Sequence, residues 1–145
     1  MKISVTSRSF SKNELLRNEI LKIYPETKFN DKGISLNGND LINFLADSSK
    51  AIIALEDINE TIISKLPNLK VISKYGVGLD KIDLQALSKY NLKIGWYPGV
   101  NKRSVSELTI GFMISSLRKL RMCQSEILRG NFNQIKGSTL SDKVV

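Results

Sequence analysis

The chain has 145 residues, of which 41% are hydrophobic and 25% charged, with a formal net charge of +8 and no histidine. That length accommodates one ordinary domain, or one and a part, able to bury roughly 70% of its unfolded surface if complete, and the composition excludes a disordered chain. Cys123 is the only cysteine, which excludes an intrachain disulfide and a cysteine-rich metal site, so no metal centre is expected.

The basic residues run from Lys2 to Lys143 without forming a phosphate-binding block. The densest group, Arg118, Lys119 and Arg121, falls on a helical segment and reads as its solvated face, so nucleic acid is not an expected partner. Met1 to Phe10 lacks the apolar core of a signal peptide, and no later run approaches a membrane span. The expectation is a cytoplasmic protein that does not engage a membrane.

Taken in order, Lys2 to Thr6 alternates and is rich in β-branched residues, the pattern of a first strand. Ser11 is placed as an N-cap with Glu14 three residues on, and Leu15, Leu16, Ile20 and Ile23 supply the apolar face of a helix ending before Pro25. Thr27 to Asn30 reads as a short second strand and Asp31 to Asn39 as loop. Asp40 is expected to begin a helix carrying Leu41, Ile42, Phe44 and Leu45, and Ala51 to Leu55 is an apolar run suited to a strand covered on both faces. Asn59 to Leu66 gives another helix, halted by Pro67, before a strand at Lys70 to Ser73. Asp83 caps a helix through Leu84, Ala86, Leu87 and Tyr90, and Leu92 to Gly95 makes a fifth strand.

Strands alternating with helices over roughly 95 residues predict an α/β fold, a doubly wound parallel sheet with right-handed crossovers. The strand-to-helix loops then share one edge: Ser7 to Phe10, Glu56 to Ile58, Tyr75 to Asp80 and Trp96 to Val100. A ligand site belongs on that edge. After Pro98 and Gly99 the pattern changes to one long helix, Lys102 to about Arg129, whose first half is apolar or small on nearly every side. Gly137 to Lys143 reads as loop, and Lys143-Val144-Val145 as the first residues of a further strand.

The central motif is Lys74-Tyr75-Gly76-Val77-Gly78-Leu79-Asp80. Two readings are open on these residues alone: a tight strand-to-helix turn, or a nest of amide N–H groups that binds an anion, with Lys74 or a following helix N-terminus adding positive potential. The start of the long helix is similarly double. Ser104 and Glu107 fit a capping box, or Asn101 is the N-cap with Val100 and Val105 as a hydrophobic staple.

Together, Tyr75 to Asp80 followed by Ile82-Asp83, then Pro98-Gly99-Val100-Asn101, then Val105-Ser106-Glu107-Leu108-Thr109 opening a helix to Leu120, resemble the D-isomer-specific 2-hydroxyacid dehydrogenases, phosphoglycerate dehydrogenase-like members among them. The resemblance implies an enzyme that interconverts 2-keto acids and D-2-hydroxy acids with NAD or NADP. Residues 1–100 would form a flavodoxin-like substrate-binding domain, and 101–145 would begin an incomplete Rossmann domain for the cofactor. Lys74, Tyr75, Gly76, Val77 and Gly78 would bind substrate, with the amides of Val77 and Gly78 on its carboxylate. Val105 and Thr109 would lie beside the cofactor, Glu107 would be structural, and the helix 102–129 would form a homodimer interface.

The family's G-x-G-x-x-G fingerprint would follow a strand opening near Lys143, and its catalytic arginine, glutamate and histidine lie further downstream. The sequence therefore reads as the N-terminal part of a longer oxidoreductase, with no catalytic residue in this chain and inactive as it stands. The alternative of a different class is a non-catalytic module of the same fold, a small-anion sensor or a corepressor-like regulator.

Overall fold

A computed structural model of the chain describes residues 2–144. The chain divides into two compact units, Met1–Pro98 and Gly99–Val145. The first contains β1 (Ile3–Val5), α1 (Arg8–Lys12), α2 (Glu14–Ile23), β2 (Lys28–Phe29), α3 (Gly38–Leu45), β3 (Lys50–Ile53), α4 (Glu60–Ile63), β4 (Val71–Lys74), α5 (Leu84–Lys89) and β5 (Lys93–Gly95). The strands form one sheet in the order β2-β1-β3-β4-β5, with every neighbouring pair parallel. This is the doubly wound α/β sheet expected from the alternating pattern, in the flavodoxin-like order.

Two apolar clusters hold the sheet. Ala51, Ile53 and Ile72 pack with Leu41 and Leu45 of α3, Ile62 and Ile63 of α4, and Ala86 and Leu87 of α5. Val5, Phe10 and Phe29 form the second cluster, with Leu16, Ile20, Leu21 and Ile52 packed against it. In β3 only Ala51 and Ile53 are fully buried, while Ile52 is partly exposed. The strand expected to be covered on both faces is thus covered unequally, with Ile52 only partly buried against the second cluster.

Several caps differ from expectation. Ser7, rather than Ser11, begins the first helix, accepting the Phe10 N–H at 3.3 Å, and Asn13 begins the second, accepting the Leu16 N–H at 3.1 Å. Ser11 is instead buried, donating to the Val5 carbonyl at 3.4 Å and accepting the Asn30 N–H at 3.1 Å. It joins α1 to the ends of β1 and β2. The third helix starts at Gly38, ahead of Asp40, with Asn37 in the N-cap position making no side-chain bond. Asn59 and Asp83 cap α4 and α5 as their side-chain chemistry predicts.

Asn30 fixes the loop that follows β2. Its buried side chain donates to the carbonyls of Thr6 and Ile34, both at 2.8 Å, and accepts the Ile34 N–H at 3.3 Å. The loop is thereby tied to the end of β1.

In the second unit the expected helix over 102–129 is two helices, α6 (Lys102–Leu117) and α7 (Leu120–Leu128), separated at Lys119, whose φ is 53°. The physical reason lies downstream. The Ser138 N–H takes the Leu117 carbonyl at 3.0 Å, the acceptor that a continuous helix would pair with the fourth following amide. Gly137 allows that approach, since a Cβ there would sit 2.6 Å from the Leu117 oxygen and 2.8 Å from the Arg118 Cα. The Ser104–Glu107 capping box is also absent: Asn101 occupies the N-cap position without a side-chain bond, and Glu107 pairs with Arg103 at 3.2 Å. No side chain of α6 or α7 is fully buried within the described residues. Lys143 and Val144 adopt no strand, and Val145 lies outside the described residues. No helix among the described residues is long and apolar enough to cross a membrane.

Two substitutions test these contacts. Asn30→Ala is expected to lower the unfolding free energy by about 2 kcal/mol in urea denaturation, because it orphans buried backbone groups. Gly137→Ala is expected to accelerate amide exchange at Ser138, since the clash is with backbone and no rotamer change relieves it.

Candidate functional site

A parallel sheet places the C-terminal ends of its strands along one edge, and the loops leaving β1, β3 and β4 meet there. The last ladder bond of β4 is the Tyr75 N–H on the Ile53 carbonyl at 2.7 Å. Beyond it Gly76 has φ of +134°, a conformation closed to residues with a Cβ, and the chain turns out of the sheet. Among the described residues, no backbone or side-chain acceptor pairs with the amides of Gly76, Val77 or Gly78. The Val77 carbonyl accepts the Trp96 indole N–H at 2.9 Å. Because C=O and N–H of a trans peptide point in opposite directions, that bond turns the Gly78 N–H away from Trp96.

The neighbouring loops brace this turn. Lys74 donates its ammonium to the Ala54 carbonyl at the end of β3, and Glu56, almost fully buried, accepts the Ala54 N–H at 2.6 Å. Ile58 and Ile82 form an isolated parallel bridge, through the Ile58 N–H on Lys81 at 2.8 Å and the Asp83 N–H on Ile58 at 2.9 Å. Tyr75 meets Phe10 edge to face, with centroids 5.3 Å apart. Asp80 folds back over the turn, so that a Cβ on Gly78 would lie 2.7 Å from its Oδ1.

The five residues expected to bind substrate therefore lie together at the sheet edge, in differing roles. Gly76, Val77 and Gly78 offer free amides. Lys74 and Tyr75 are braces, and the Lys74 ammonium reaches the Ala54 carbonyl while its Cε stays beside Gly76, 3.8 Å from where a Cβ there would sit. The dipole of a following helix contributes little here, because α5 begins only at Leu84. Val105 and Thr109 belong to the second unit and are neighbours on α6, where the Thr109 hydroxyl donates to the Val105 carbonyl at 2.8 Å. With that hydroxyl occupied, the pair presents mainly methyl groups, suited to packing on a flat ring and lacking donors for a phosphate.

The loops after β1 and β3, placed on this edge from the sequence, contribute Ser7, Arg8, Ser9 and Glu56 to a cavity of about 610 Å³ whose remaining walls sequence reasoning missed. Its walls include Arg8, Lys12, Ser35, Asn37, Glu56 and Lys81. Strand order supplies the signal that locates it: in the order 2-1-3-4-5 the connections reverse between β1 and β3, which is where such sheets open a crevice. On the far end of α5, Lys89 has its pKa raised by a hydrogen bond and the charge of Glu60, 2.5 Å away.

Residues 5–144 match the family model described as D-isomer specific 2-hydroxyacid dehydrogenase, catalytic domain. The chain belongs to this family. It is 26% identical to a D-3-phosphoglycerate dehydrogenase of Methanocaldococcus jannaschii over 90% of its own length and 25% of that protein. Identity rises to 37% with a glyoxylate/hydroxypyruvate reductase of Arabidopsis thaliana, over 50% of this chain and 23% of the relative. Among solved structures, the NAD+-bound 3-phosphoglycerate dehydrogenase of Entamoeba histolytica superposes with a TM-score of 0.73 at 30% identity, covering 99% of this chain and 44% of that one. The chain thus spans about a quarter of the length of these curated family members.

The glycines of the loop are not equivalent. Gly76→Ala is expected to cost about 1–3 kcal/mol in urea denaturation, since a Cβ is strained at that φ wherever it points. Gly78→Ala should cost less, because the atom it meets is the end of the Asp80 side chain, which can rotate aside.

Proposed function

We propose that this chain supplies the substrate-carboxylate half of an NAD- or NADP-dependent oxidoreductase that interconverts 2-keto acids and D-2-hydroxy acids. The observation that carries this reading is the run of three unpartnered amides at Gly76, Val77 and Gly78, at the edge where a parallel sheet collects its ligand loops. A carboxylate held by two such donors gains charge-assisted hydrogen bonds of roughly 1.5–3 kcal/mol each. The relatives named for glyoxylate, hydroxypyruvate and phosphoglycerate support the substrate class: each of these compounds carries a carboxylate beside a carbonyl or hydroxyl-bearing carbon.

In this reading the first unit binds the substrate and the second begins the cofactor domain. The stripe of Val105 and Thr109 would pack on the nicotinamide ring, which supplies or accepts the hydride when bound. Reduction of a ketone also needs a proton for the developing alkoxide, and a sequence without histidine does not provide the family's donor. The exposed Ile110 and Ile114, one turn apart on the side of α6 away from Val105 and Thr109, support a homodimer interface on that helix. A cytoplasmic setting accords with the nicotinamide chemistry.

Trp96 gives a direct test, because it is the sole tryptophan and its indole N–H bonds to the loop. Glyoxylate or hydroxypyruvate is expected to change its fluorescence and to shift the amide resonances of Gly76, Val77 and Gly78. Absence of any response at those amides at millimolar ligand would sink the carboxylate role. Residues 1–145 alone are expected to show no NADH- or NADPH-dependent reduction of these acids. Robust turnover by this chain would overturn the division of labour.

A further inference from the structure

Asn37-Gly38, at the entry to α3, is the sole Asn-Gly pair in the sequence. Asn37 is exposed and, although it occupies the N-cap position, its side chain makes no hydrogen bond to the helix. Gly38 has φ of +50°, and a Cβ placed on it would meet nothing within 4 Å. Among the described residues its N–H has no acceptor, as expected of the first amide of a helix. An uncommitted carboxamide therefore adjoins a backbone nitrogen that neither a hydrogen bond nor a side chain shields.

Other asparagines are placed differently. Asn13 and Asn59 each accept a helix N–H at 3.1 Å through the carboxamide oxygen. Asn30 is buried and bonded to two carbonyls, and Asn131 and Asn133 donate to Glu126. Each of these is followed by a residue with a side chain. What restrains Asn37 is its main chain, whose carbonyl accepts the Asp40 N–H at 3.1 Å and the Leu41 N–H at 3.4 Å. Fraying of that first turn frees the peptide between Asn37 and Gly38 to rotate.

We propose that Asn37 is a self-modification site, converted to aspartate and isoaspartate through a cyclic imide closed by the Gly38 nitrogen. The Gly38 amide gives its proton to a solvent base and attacks the Asn37 Cγ. A C–N bond forms there, and the Cγ–Nδ2 bond breaks with release of ammonia. Water then opens the ring. Cleavage at Cγ gives aspartate, and cleavage at the Asn37 main-chain carbonyl gives isoaspartate, in which the backbone runs through the side chain. By either route one water enters, one ammonia leaves and no electrons are transferred. The formal charge of +8 falls by one, at a residue that lines the same cavity as Arg8 and Lys12. The inference does not rest on the carboxylate role of the glycine loop.

The test is peptide mapping by mass spectrometry of the folded chain after incubation at neutral pH. Asn37 is expected to convert at least about tenfold faster than Asn39, whose neighbour Asp40 carries a side chain, and to yield isoaspartate as well as aspartate. The Asn37→Asp protein supplies the standard for the aspartate product. Gly38→Asn should slow conversion about tenfold or more, because asparagine tolerates a positive φ while its side chain obstructs the attack. Asn37 left intact in the folded chain overturns the inference, and so does conversion no faster than at Asn39. Aspartate without isoaspartate also overturns it, since direct hydrolysis of the carboxamide passes through no imide, as does an undiminished rate in Gly38→Asn.

Discussion

The interaction on which the functional edge depends is the parallel ladder between β3 and β4, running in register from Lys50 opposite Val71 to Ile53 opposite Lys74. Its last bond, from the Tyr75 N–H to the Ile53 carbonyl, decides where β4 stops being a strand. One residue later Gly76 takes a φ that only glycine tolerates, and the following amides leave the ladder unpaired. The free donors are thus a product of strand termination. A continuing strand would have spent the same N–H groups on its neighbour.

That origin explains why the loop was legible in the sequence. Gly76 and Gly78 follow an apolar β-branched run, and the pattern of that run and of the four other strands was sufficient to place the loop at a sheet edge. The strand order was not legible from periodicity, which reports which face a residue is on and says nothing about which strand it pairs with; the flavodoxin-like order came only from the resemblance of the motifs. The cavity between β1 and β3 depends on that order and on Asn30, a residue whose role rests on partners at Thr6 and Ile34. Side-chain wiring of this kind has no local signature. Lys74 illustrates the same limit: its position beside the glycines is local, whereas the hydrogen bond from its ammonium to the Ala54 carbonyl, 20 residues away, has no local signature.

The caps divide along similar lines. Asp83 and Asn59 were readable because each serves the helix immediately after it. Ser11 looked like a cap by the same rule and is instead buried between Val5 and Asn30, where its hydroxyl settles one donor and one acceptor at once. The break between α6 and α7 was invisible for a related reason. Arg118 and Lys119 are ordinary helix formers, and what stops the helix is the return of Gly137 and Ser138 to the Leu117 carbonyl. Local propensity favoured a single helix and a contact from outside the helix prevailed.

Ala54 connects the two halves of the functional edge. Its carbonyl holds Lys74, which borders the glycine loop, and its N–H holds Glu56, which lines the cavity. A single peptide segment at the end of β3 therefore fixes the positive charge of one site and the negative charge of the other. Fixing them this way restricts what each can accept. The glycine loop offers neutral amide donors with the Lys74 side chain beside Gly76, one proton of its ammonium being taken by the Ala54 carbonyl. On the cavity side the same segment holds the buried Glu56 carboxylate through the Ala54 N–H. The division follows from the C-terminal end of β3, where the backbone uses its acceptor toward one loop and its donor toward the other.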